Sequence, residues 1–172
     1  MVDFKDISIR GRIAYGTMCA ENFALACHPE RNWTFVFERL WSISQDDKYW
    51  DAWASEVIDI LPELVLSDEL YTDEPDCTID EATRKKLRNL YTGMPDSWGV
   101  ILSNIVDIEE ASAFTQVEGC GTEELELLEH IVSVLRSEDV ELPDPDAVAF
   151  SKFSENGGRG NSFDARKLSR VI

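Results

Sequence analysis

Large apolar residues recur along this chain at spacings of three and four, and strict apolar–polar alternation is nearly absent. That period buries one stripe of a helix and gives a strand no usable face. Trp33, Phe37 and Trp41 stand four apart and form a single aromatic stripe that Val36 and Leu40 extend. These three rings read as structural. The pattern repeats in Trp50, Trp53, Val57, Ile60 and Leu61, and again in Trp98, Ile101, Leu102, Ile105, Val106 and Ile108. Leu125, Leu128, Val132 and Leu135 carry it once more. The expected fold is all-α, a compact bundle of about six helices with a basic, glycine-containing C-terminal tail.

Polar residues and breakers divide the pattern. Asp3 is placed to cap a first, amphipathic helix over Phe4 to His28, with the small Gly11 and Ala14 where another helix can approach. Asn32 is placed to cap a second helix that runs to Ile43. Ser44 with Asp47 reads as a capping box for a third, which Pro62 kinks or ends. Thr78 with Glu81 reads as another, opening a helix to Tyr91 that carries Arg84, Lys85, Lys86 and Arg88. A helix from Asp96 or Ser97, a turn at Glu118–Gly121 and a helix capped by Thr122 complete the series. This gives an acidic helical domain over 1–142 and a tail over 143–172. Phe150, Phe153, Phe163, Leu168, Val171 and Ile172 are apolar anchors that dock the tail on the same domain.

The 172 residues carry a net charge of −18. Between Asp46 and Glu81 there are 13 carboxylates against Lys48, and between Ser97 and Val148 another 13 against Arg136. The tail from Ala149 reverses sign, with five basic residues against Glu155 and Asp164. A surface of this sign argues against nucleic acid and anionic membranes as partners. It suits a basic protein, whose approach it would steer, and it also keeps a protein soluble without any such partner. The first ten residues hold no apolar signal region, so a cytoplasmic address is expected.

Catalytic patterns are missing. His28 and His130 are the only imidazoles, and His130 reads as a surface residue paired with Glu126. Cys19, Cys27, Cys77 and Cys120 form no C-x-x-C pair and read as free thiols. The acidic loop Asp68 to Asp76 lacks the ligand order and central glycine of a calcium loop. Gly157-Gly158-Arg159-Gly160 lacks the Lys-Ser/Thr ending of a phosphate loop. No enzyme activity, cofactor or metal is therefore expected. The candidate partner-binding residues are Asp46, Asp47, Trp50 and Asp51 in one turn, Asp68, Glu69, Asp73 and Glu74 in the acidic loop, and Glu123 and Glu124 on the last helix. Trp50 and Trp53, set among carboxylates, are the candidate aromatic anchors.

Arg12-Ile13-Ala14-Tyr15-Gly16 in the first helix is followed by Glu38-Arg39-Leu40-Trp41, by Ser44-Gln45-Asp46-Asp47, and by Trp50 and Trp53 ahead of Leu61-Pro62-Glu63. This order, over the first half of the chain, resembles a family of predicted immunity proteins from bacterial polymorphic toxin systems. Trp41 is the match to that family's tryptophan. The resemblance implies a mostly α-helical protein that binds and neutralises a cognate toxin domain, often a basic nuclease, in the producing cell's cytoplasm. Two other readings stay open: an acidic adaptor for another cationic partner, and a small helical enzyme or ligand-binding protein with a tryptophan-lined pocket. A symmetric homodimer through an aromatic face is compatible with each.

Overall fold

The first amides of a helix need acceptors from outside it, and three polar side chains supply them here. Ser8 Oγ accepts from Gly11 N at 3.1 Å, Asn32 Oδ1 from Thr34 N at 3.1 Å, and Asp80 Oδ1 from Thr83 N at 2.7 Å. The computed structural model describes residues 2–46, 48–69, 71–113 and 120–172. Among these there are seven α-helices and no strand, so the protein is an all-α bundle. The helices are α1 (Ile9–Cys27), α2 (Thr34–Trp41), α3 (Trp50–Ile58), α4 (Pro62–Val65), α5 (Glu81–Tyr91), α6 (Ser97–Ala113) and α7 (Thr122–Ser137). No described helix is long and apolar enough to cross a membrane.

Several boundaries differ from those read in the sequence. Asp3 caps only the short 3-10 turn Phe4–Asp6, and α1 begins after Ser8 because Ile7 is drawn into an antiparallel bridge with Lys152. The cap of α5 is Asp80, not Thr78. Asp59 Oδ2 accepts from both the amide and the hydroxyl of Thr78 at 2.6 Å, which holds Thr78 outside the helix. α3 opens at Trp50 behind Tyr49, whose side chain makes no cap, so Ser44 does not begin it. Asp47, the other half of that expected box, lies outside the described residues, as do residues 118 and 119 of the expected turn. The break expected at Pro62 is present: α3 ends at Ile58, Leu61 before the proline is extended, and Pro62 is the first residue of α4, where its missing N–H is harmless.

The first helix is not amphipathic. α1 is buried on every side along its first turns, including Arg10, Arg12, Thr17 and Glu21. Gly16 makes this packing work: a Cβ there would sit 3.1 Å from Ile105 of α6 and 3.3 Å from Ile131 of α7. Gly11 faces the tail instead of a helix, with Ser151 Cβ 2.9 Å from where its own would stand. Buried Arg12 donates from Nη1 to Gly121 O at 2.9 Å, from Nη2 to Cys120 O at 2.6 Å and from Nε to Phe4 O at 3.1 Å. It thereby ties the entry of α7 to the start of the chain.

Trp98 of α6 is the centre of the aromatic core. Its ring lies 5.4 Å from Trp33, 6.1 Å from Tyr91, and 6.3 Å from both Phe23 and Phe37. Trp33, Trp41, Trp53 and Trp98 are all buried. Each such ring stabilises the fold by about 2 to 3 kcal/mol through apolar burial. Three of their indole N–H groups have acceptors: His28 O for Trp33, Glu21 Oε1 for Trp41, and the carbonyls of Arg39 and Leu40 for Trp53. The Trp98 N–H has none.

The tail runs back over α1. Ser8 N donates to Ser151 O at 3.0 Å and Phe153 N to Asp6 O at 2.8 Å, while Phe163 N donates to Ser44 O at 3.0 Å. Gly160 passes so close to α1 that a Cβ would stand 2.1 Å from Ser8 Oγ, and its φ is +80°. The two arginines of the basic cluster of α5 are spent on structure, while Lys85 and Lys86 are exposed. Arg84 donates to Ser67 O at 2.5 Å, and Arg88 to Val65 O at 3.2 Å and Leu66 O at 2.9 Å, so cations meet the carbonyl end of α4.

Candidate functional site

Four parts of the fold deliver charged side chains to one open basin of about 430 Å³. The first turn of α1 brings Arg10, and the late part of α6 brings Glu109. The tail brings Asn156, Arg159 and Asn161, while Asp46, Lys48, Tyr49, Trp50 and Asp51 come from the entry to α3. The tail reaches this place because its backbone docks on α1: Arg10 N donates to Arg159 O at 3.1 Å, and Arg10 Nη1 to Gly160 O at 3.3 Å.

Two guanidinium groups converge on the half-buried Trp50 ring, Arg10 at 5.4 Å and Arg159 at 5.2 Å from its centroid. Such contacts attract a cation to the ring face. Arg159 also donates from Nη2 to Ser112 O at 3.1 Å. Lys48 is paired with Glu56 at 2.6 Å. Tyr49 stands 79% exposed beside these groups.

Glu109 is the unusual member. It is 2% exposed, and its Oε1 accepts no hydrogen bond. Burial raises its pKa to about 7, against a partial offset from Arg159 and with Glu110 and Asp51 adding to the rise. Arg10, 5% exposed, has the complementary defect: its Nε is buried with no acceptor. Burial lowers its pKa, and Asp46 opposes that shift. The basin therefore holds a buried donor and a buried acceptor, both without partners. Buried polar atoms are ordinarily satisfied, so such a pair makes this basin the candidate site.

Of the residues singled out in the sequence, Asp46, Trp50 and Asp51 come together at this basin. Asp47 lies outside the described residues. Asp68, Glu69, Asp73 and Glu74 are exposed between α4 and α5, and Glu123 is exposed at the start of α7; none of them lines the basin. Glu124 is buried on the side of Arg12, whose charge it supports, so it presents no surface. Trp53 is core, not an anchor. His130 meets Asn104 Oδ1 at 3.2 Å and not Glu126. The described cysteines are all free, and no group of His, Cys, Asp or Glu among the described residues is arranged to hold a metal ion.

Arg10, Glu109 and Arg159 were not singled out in the sequence. The first two sit within helices whose apolar neighbours dominate the pattern, and the third sits among glycines. Their meeting depends on α1, α6 and the tail packing together. Comparison with protein-family models, with curated proteins and with solved structures finds no match. The class defined by fold and site is thus an acidic all-α bundle with a charged, partly unsatisfied basin.

Proposed function

We propose that this protein works by binding in the cytoplasm, as an immunity-type inhibitor that occupies a basic toxin domain. The observation that supports this best is the coincidence at one basin of the exposed Tyr49, the half-buried Trp50, and the exposed carboxylates Asp46 and Asp51. Aromatic anchors ringed by polar groups are the usual centres of binding energy. The exposed carboxylates of the Asp68 to Glu74 loop and Glu123 add to the field that draws a cationic partner inward. A net charge of −18 has the required sign.

The test is co-expression with the product of the adjacent gene, scored by cell growth and by complex formation at low and high salt. The expected outcome is rescue of growth and a complex that weakens with salt. Tyr49→Ala should speed dissociation by about tenfold or more, and Asp51→Lys should mainly slow association. Neither rescue nor a complex would defeat the reading for that partner, leaving an adaptor for another cationic protein. Glu109 at the base of an open cavity favours a second reading, a ligand-binding protein.

A further inference from the structure

The basin is lined by side chains of both signs of charge. A simple cation would meet the carboxylates of Asp46, Asp51 and Glu109 but would also face Arg10 and Arg159. Among the described residues no carboxylates are grouped as metal ligands, which argues against an inorganic cation. A simple anion would meet the two arginines but face the three carboxylates. An apolar molecule would cover the charged side chains that line the basin and pair none of them.

We infer that this basin binds a small zwitterion of the α-amino-acid type, its carboxylate held by Arg10 and Arg159 and its ammonium by Glu109 with Asp46 and Asp51 at the rim. Arg10 and Glu109 both line the basin, and Arg10 Nε and Glu109 Oε1 are each without a partner. Trp50 gives the ligand's carbon skeleton an apolar wall, and Asn156 and Asn161 supply neutral polar groups. A basin of about 430 Å³ lies in the range that encloses small molecules. Lys48 is held by Glu56 and is not needed for this recognition. The inference stands on the basin alone and does not depend on a protein partner.

The ammonium requires ionised Glu109, and the charges around that carboxylate set when this happens. Arg159 from the tail favours ionisation; Glu110 on its own helix and Asp51 from α3 oppose it, Arg10 and Asp46 line the same basin, and Lys48 is already paired. With the Glu109 pKa raised to about 7, affinity should rise about tenfold between pH 6 and pH 8, as the ionised fraction does.

The experiment is calorimetric titration of the full chain at pH 8 and low salt with each of the twenty free amino acids. Every amino acid that binds is then compared with its N-acetyl derivative and with the amine that lacks its carboxylate. The expected result is binding of one or a few amino acids, weakened about tenfold or more by loss of either charge and by Glu109→Gln. Circular dichroism of the isosteric variant checks that it is folded. If no amino acid binds at millimolar concentration, the inference is overturned. Equal binding of the N-acetyl derivative or of the amine overturns it too, as does undiminished binding to folded Glu109→Gln. The wild-type titrations decide the question even if that variant does not fold.

Discussion

Two of the buried glutamates in this protein, Glu21 and Glu109, meet opposite fates. Glu21 of α1 is 0% exposed and fully engaged. Trp41 Nε1 donates to it at 2.8 Å, Arg170 N donates at 2.7 Å, and the Ser169 hydroxyl donates as well. Glu109 of α6 is nearly as deep, yet one of its oxygens has no donor and its proton is held to about pH 7. The C-terminal segment closes over Glu21, whereas the Gly157–Asn161 turn borders an open basin beside Glu109. Burial alone does not separate these two carboxylates; the count of donors does.

Removing the satisfied member should have the larger effect. Glu21→Ala strands the Trp41 indole, the Ser169 hydroxyl and the Arg170 amide, and should cost about 4 kcal/mol in urea denaturation. Hydrogen exchange should show the last residues of the tail opening first. If the variant is as stable as the wild type, the tail is not sealed through Glu21 and the comparison fails.

Glu109→Gln should move stability the other way, and only at high pH. The folded-state pKa of Glu109 lies above its ordinary value of 4.5, so folding favours the protonated form. That contribution is fully present below about pH 4.5 and is lost as pH rises through about 7. A glutamine does not titrate, so the variant should gain up to about 3 kcal/mol over the wild type at pH 8 and almost nothing at pH 4.5. Chemical denaturation at the two pH values measures the difference. A pH-independent effect would mean that Glu109 does not ionise near neutrality in the fold.

Lys48→Ala sharpens the contrast within the basin. Lys48 is paired with Glu56 at its edge, so losing it should cost only about 1 kcal/mol. Thermal unfolding should detect a small shift. A loss as large as that for Glu21 would place Lys48 among the groups that hold the basin together.

The positions of most helices could be read from the sequence because a stripe of apolar residues is a local signal. α6 and the end of α5 fall where Trp98 to Ile108 and Gly93 indicate. Helix starts were less legible, since several residues nearby offer the same oxygen. Thr78 and Asp80 are both good caps in isolation, and a long-range bond from Thr78 to Asp59 decides between them. The character of α1 was not legible at all. Arg10, Arg12 and Glu21 are ordinary surface residues by type, and only the partners brought by the tail and by the entry to α7 allow them inside. The same holds for the basin: Asp46, Trp50 and Asp51 stand out among neighbouring carboxylates, but Arg10, Glu109 and Arg159 are far apart in the chain.

What this sequence determined by itself is a helical, strongly acidic protein whose tryptophans mostly build its core, because period and charge are properties of short stretches. What the tertiary structure decided is which charges are buried, which are satisfied and which are left over. Satisfying a buried charge takes donors and acceptors from distant segments, and nothing local in the chain specifies which of them will arrive.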